Sequence, residues 1–137
     1  MNNRVLLSAL AGGVAMFLAG WVVYGMLLMD TMKNLNPGSA AVMKDPPQLG
    51  GIALSNILWG LFLALVFDRW AKISTFKSGA IAGAWTSALL STSFDISFLS
   101  MTTMYTVNGV VLDIVAATVM GAITGGVVGW ALGYKRA

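Results

Sequence analysis

Charged residues are missing from four long stretches of the chain, and the lengths of those stretches predict four helices. Residues 5–29 run for 25 positions without a charge. At 1.5 Å per residue that is roughly 37 Å, enough to cross a hydrocarbon layer of about 30 Å with some tilt. Residues 49–67 supply 19 uncharged positions and residues 78–94 supply 17, roughly 28 and 25 Å. The third stretch continues past Asp95 toward Met104. Residues 114–134 add 21 more, roughly 31 Å, and this last helix is expected to start a few residues earlier, near Asn108. The pattern therefore predicts helices at about 5–29, 49–67, 78–98 and 108–134.

Composition turns four apolar helices into a membrane domain. Of 137 residues, 58% are hydrophobic and 9% charged, against roughly 25% charged in an average soluble domain. So few charges cannot coat a water-soluble surface, and the mean hydropathy of +0.82 agrees. The expected fold class is all-α, a bundle of four transmembrane helices forming a single integral membrane domain over 1–137. The first apolar run far exceeds the 7–15 residues of a secretory signal core, so it reads as an uncleaved first helix. Between the first two helices, residues 30–48 hold Asn34, Asn36, Pro37, Gly38, Pro46 and Pro47, a run of helix breakers that predicts a long and mobile outer loop.

The basic residues then set an orientation. With four spans, the two termini share a side with the loop between helices two and three. That side collects Arg4, Arg69, Lys72, Lys77, Lys135 and Arg136, while the other holds Lys33 and Lys44. An excess of Lys and Arg marks the cytoplasmic face, so both termini are expected in the cytoplasm of a bacterial plasma (inner) membrane. Trp70 and Tyr134 on that side, with Tyr24 and Tyr105 toward the other, fit aromatic belts at the two interfaces. The net charge of +3 is scattered at helix ends, where it suits lipid headgroups and not nucleic acid.

The most specific local pattern is a glycine at every fourth position of helix four: Gly121, Gly125, Gly129 and Gly133. Four residues advance a helix by about 400°, so these glycines share one narrow stripe. Gly79 and Gly83 in helix three, and Ala9 with Gly13 in helix one, repeat the small-residue spacing. In lipid, helices associate through close packing rather than water exclusion, and such grooves admit a neighbouring backbone. The stripe either holds helix four to helix one or three within the chain, or forms a glycine-zipper interface with a second copy or a larger membrane protein.

Absences narrow the chemistry. The chain has no histidine and no cysteine, which removes imidazole and thiolate metal sites, iron–sulfur clusters and Cys- or His-based nucleophilic catalysis. No cofactor and no metal site are expected. Nine methionines read as gap-fillers and not as copper ligands. Five aspartates remain, and two of them reach the same depth. Asp95 lies roughly 27 Å beyond Lys77, and Asp113 roughly 33 Å before Lys135, if both helices are straight. Asp30 stands not far above them. Ser91, Thr92, Ser93, Ser97, Ser100, Thr102, Thr103, Thr106 and Asn108 surround the pair in sequence. Asp95 and Asp113, with Asp30, are thus candidates for binding a cation, a proton or an amine-bearing ligand. The competing reading puts both carboxylates at headgroup level, with Asp113 favoured by the N-terminal end of helix four.

Gly20-Trp21-Val22-Val23-Tyr24-Gly25 running on to Met29 and Met32, with Leu112-Asp113 and Val119-Met120-Gly121-Ala122 in helix four, resembles small bacterial four-helix membrane proteins grouped as a domain of unknown function. Those proteins carry a Trp/Tyr signature late in helix one and an acidic residue opening the last helix. The resemblance implies the same four-helix fold and brings no activity with it. Two functions follow as expectations. One is an accessory or structural membrane protein, not an enzyme, assembling through the glycine-rich face of helix four. The other is a small transporter or ligand-binding oligomer using Asp95 and Asp113 near the outer leaflet.

Because the chain lacks cysteine, single Cys substitutions at Ser39, Lys72 and Ser97 report the sidedness directly. An impermeant thiol reagent applied from the outer face should label Ser39→Cys and Ser97→Cys in intact cells, and Lys72→Cys only after permeabilisation.

Overall fold

Every long uncharged stretch is helical in the computed structural model, which describes residues 1–134; Lys135 and Arg136, two of the six basic residues counted for the cytoplasmic side, lie outside them. Helix α1 spans Asn3–Gly20, opened by the Asn2 side chain, which accepts the Arg4 N–H. It then widens into a π-helical stretch over Trp21–Leu27, closed by a bond from the Leu28 N–H to the Val23 carbonyl at 2.8 Å. The chain breaks at Leu28 and starts a short helix, α2, at Met29–Leu35. Helix α3 covers Leu49–Val66 and ends in a second π-helical stretch at Phe67–Ala71. Helices α4, Phe76–Met101, and α5, Val107–Gly133, complete the fold. Among the described residues there is no strand.

Two departures from the sequence reading have clear causes. The expected helix 5–29 is longer than one regular helix, because the wide π turn and the break at Leu28 redirect the chain before it reaches residue 29. The expected loop 30–48 is helical in its first third, and it is held. Asn36 is 3% exposed and its side chain accepts the Thr106 N–H at 3.0 Å, while the Thr106 hydroxyl donates to the Leu35 carbonyl at 2.7 Å. Thr106 also caps α5 by accepting the Gly109 N–H. Residues read as helix breakers therefore pin the loop to the start of α5.

Three helical stretches are long and apolar enough to cross a membrane: Asn3–Leu27, Leu49–Ala71 and Val107–Gly133. Their outward faces fit that medium. On α5, Val111, Val115, Val119 and Ile123 recur every fourth residue and are all exposed, an apolar stripe too long for a water-facing helix. This is a membrane protein. Helix α4 is just as long, but Ser and Thr dilute its hydropathy.

The helices lie in the order α3, α1, α5, α4, with α4 packed chiefly on α5. Glycine makes both close crossings. Between α4 and α5, a Cβ on Gly83 would collide with the Gly121 carbonyl and stand 2.8 Å from the Gly125 Cα. One on Gly125 would collide with the Gly79 carbonyl, one on Gly129 with that of Thr75, and one on Gly133 with that of Ser74. The helix-four stripe is thus packed against α4 and the two residues before it, Ser74 and Thr75, within the same chain. Between α1 and α3, a Cβ on Gly13 would stand 2.7 Å from the Ile57 Cα, and one on Gly60 would stand 2.7 Å from the Gly13 nitrogen. The two pairs join where α1 meets α5. Val128 fills the space over Gly12, and Val5, Ala9, Leu63, Ala64, Phe67, Val128 and Leu132 form the buried core.

At one end of the bundle Arg4 pairs with Asp68 at 2.6 Å, and the Lys72 ammonium donates to the Asp68 carbonyl at 3.1 Å. Lys72 itself is left-handed (φ 53°); it closes the helix where glycine is the usual residue, and its side chain bonds a terminal carbonyl. Arg4, Arg69, Lys72 and Lys77 gather at this end, while α2 and the α4–α5 turn occupy the other.

Backbone contact at the seam makes a direct prediction. Gly125→Val should destabilise the folded state by about 3 kcal/mol or more, since neither backbone can withdraw without separating the helices. Gly51→Ala, at a position with nothing within 4 Å, should stay within about 1 kcal/mol of the parent and on the stabilising side. Equilibrium unfolding in mixed detergent and SDS measures both.

Candidate functional site

The end of the bundle opposite Arg4 and Asp68 contains a chain of polar contacts that links three helical segments. Tyr24, carried by the π-helical stretch, donates its hydroxyl to Asp113 Oδ1 of α5 at 2.5 Å. The Ser91 hydroxyl of α4 lies 2.8 Å from Asp95 Oδ2, one turn further along the same helix, and 3.2 Å from Asp113 Oδ2. All four side chains are partly buried.

Local sequence explains each placement. The α4–α5 crossing that brings Gly83 onto Gly121 carries Ser91 and Asp95 toward Asp113 two turns further out, because the helices run antiparallel and keep register. The π turn adds one residue per turn to the end of the first helix, and Tyr24 there spans the gap to α5. Asp95 is six residues from the end of α4 and Asp113 six from the start of α5. Both sit about 9 Å inside their helices rather than at the mouths.

The proton count in this cluster is short by one. A serine hydroxyl has a single hydrogen to donate, and ionised carboxylates have none. Ser91 can therefore satisfy only one of the two carboxylate oxygens it approaches. Two like charges around one hydroxyl repel, and a positive charge between them relieves the repulsion. The arrangement suits a proton, a small monovalent cation or an ammonium group, whose three donors match the available oxygens. Among the described residues no group of three His, Cys, Asp or Glu side chains is close enough to hold a metal ion.

Of the residues picked out by sequence, Asp95 and Asp113 are brought together, and Asp30 is not. Asp30 is exposed in the first turn of α2 and makes no side-chain hydrogen bond among the described residues. The packing glycines Gly79, Gly83, Gly121, Gly125, Gly129 and Gly133 lie in the seam below the carboxylates. Sequence reasoning missed Tyr24 as a member of the cluster, assigning it to an interfacial belt. The missed signal was a phenol and an acid both lying toward the outer ends of apolar helices, where neither has an obvious partner nearby in sequence.

A cavity of about 560 Å³ lies beside Tyr24, walled by Met16, Phe17, Trp21, Ile52 and Met120, with Asn56 as a polar member. Comparison with protein-family models, curated proteins and solved structures gives no match.

Removing the phenol tests that bond. Tyr24→Phe should cost about 1–2 kcal/mol, above the roughly 0.6 kcal/mol average for hydrogen bonds within membranes because the acceptor is a carboxylate. Tyr105→Phe, whose hydroxyl has no partner among the described residues, should stay within about 0.5 kcal/mol. Thermal unfolding in detergent separates the two.

Proposed function

We propose that the chain is a four-span protein of the bacterial inner membrane, with both termini cytoplasmic, that binds a small monovalent cation or protonated amine through Asp95 and Asp113 and performs no catalysis. The observation that carries this reading is the approach of both carboxylates to the single Ser91 hydroxyl. Ionisable side chains inside membrane helices are costly and are kept where they handle charge. Tyr24 holds Asp113 through one carboxylate oxygen, and the other, which competes with Asp95 for the Ser91 hydroxyl, faces the bound ion. The resemblance to small four-helix membrane proteins is consistent with this architecture.

The fourth span is supported by α4 itself. It lies antiparallel along α5, which is long and apolar enough to cross, so the two share a depth. Its hydroxyls are largely turned back on their own helix: Thr86 donates to the Ala82 carbonyl, Thr92 to Ala88, Ser97 to Ser93 and Ser100 to Ile96. A hydroxyl bonded in this way presents little unsatisfied polarity to lipid.

A second reading is an accessory protein that binds a copy of itself or a larger membrane protein. It is favoured by the open row of helices, in which α4 is a flank and exposes Ile81, Trp85, Leu89 and Ile96. With the glycine stripe filled inside the chain, such assembly would use this flank.

Proteoliposomes on a solid-supported membrane distinguish the two. Rapid exchange into sodium, potassium or methylammonium should give a transient current with the parent protein, reduced about tenfold or more in Asp95→Asn/Asp113→Asn, as expected when a desolvated charge partner is removed. No current with any of the three cations would overturn the binding reading. A membrane protein retained through mild detergent extraction, and lost on Trp85→Ala, would then support the accessory one.

A further inference from the structure

We propose that the end of the bundle opposite the carboxylates holds an anionic phospholipid, its phosphate on Arg4 and its acyl chain along the groove between α1 and α5. The proposal rests on a cavity of about 440 Å³ whose walls change character with depth. Asn2, Asn3 and Arg4 form its polar mouth. Leu7 and Ala11, on the same face of α1, continue the wall inward, and Trp130 and Ala131 of α5, with Tyr134 just past its end, stand opposite. From Arg4 to Ala11 the groove runs roughly 10 Å along the helix. A charged mouth leading into an apolar trough at a membrane boundary is the shape of a phospholipid: headgroup outward, chain inward.

Three further observations select an anionic headgroup. Among the described residues Arg4 bonds a carboxylate through one guanidinium nitrogen, to Asp68 at 2.6 Å, and its side chain remains 25% exposed. A guanidinium carries five donors in a rigid fork that matches phosphate oxygens, so capacity remains once Asp68 is served. Arg69, Lys72 and Lys77 stand at the same end and make that boundary electropositive, which favours anionic over zwitterionic lipid. Trp130 and Tyr134 pack against each other with centroids 5.3 Å apart, amphipathic rings of the kind that sit at headgroup level. Among the described residues Asp68 is the one carboxylate bonded to Arg4, and it neutralises only part of this cluster.

The inference requires the membrane reading and is independent of the Asp95 and Asp113 site. Its test uses delipidated full-length protein in detergent, titrated with dioleoylphosphatidylglycerol, dioleoylphosphatidylcholine or inorganic phosphate, and followed by thermal shift and native mass spectrometry. Phosphatidylglycerol should raise the melting temperature and remain as a single bound lipid, with phosphatidylcholine about tenfold weaker. Free phosphate should have no effect. Arg4→Gln should abolish the preference for the anionic lipid, but it also breaks the Asp68 pair. Ala11→Phe fills the trough and leaves that pair alone; it should keep the parent melting temperature in detergent and lose the lipid-induced shift. Equal response to both lipids, an equal response to free phosphate, or an undiminished shift in Ala11→Phe would each overturn the proposal.

Discussion

Direct contact between helix backbones at glycine is the constraint from which this architecture follows. A membrane interior offers no hydrophobic driving force between helices, since a neighbouring lipid tail is as apolar as leucine. What remains is the number of atoms brought within van der Waals range, and that number rises steeply when side chains are removed from the contact line. At Gly79, Gly83, Gly121 and Gly125 the two helices touch carbonyl to Cα. The same contact at Gly13 and Gly60 holds the other pair. Each seam also sets a register, because a groove one residue wide accepts its partner in one alignment.

That register is what builds the polar cluster. Once Gly83 lies on Gly121, two turns of α4 bring Ser91 to the level of Asp113, and one further turn brings Asp95 alongside. No separate device is needed to align the carboxylates; they inherit their positions from the packing below. Tyr24 then arrives from the first helix, and its π-helical stretch is the one local irregularity among the three segments that contribute. Such bulges concentrate where a side chain has to be re-aimed, and here the re-aimed side chain bonds a carboxylate.

Much of the fold was legible in the sequence because it depends on residue types that have few other uses. Uncharged runs gave the four long helices to within a few residues, and the fourfold spacing on α5 gave the seam. The convergence of Asp95 and Asp113 followed from counting residues between boundary charges and carboxylates. What escaped was information held in pairs far apart in the chain. Gly60 is isolated in sequence and gains its role from Gly13. Asn36 reads as a breaker until Thr106 supplies the other half of the contact. Tyr24 reads as an interfacial aromatic until α5 brings Asp113 to it. The break at Leu28 was also hidden, since nothing in an apolar run announces a π turn.

The row of helices has two halves, α1 with α3 and α4 with α5, each sealed between long helices that follow one another along the chain. Tyr24 belongs to the first half, and Ser91, Asp95 and Asp113 belong to the second. Neither half alone contains the cluster, so the cluster exists only while the halves are docked. By thermodynamic linkage, a ligand that binds more tightly while Tyr24 is bonded to Asp113 would strengthen the union of the halves, and separating them would weaken its binding. Quaternary stress, bilayer thickness and ion occupancy would thereby act on a single shared equilibrium.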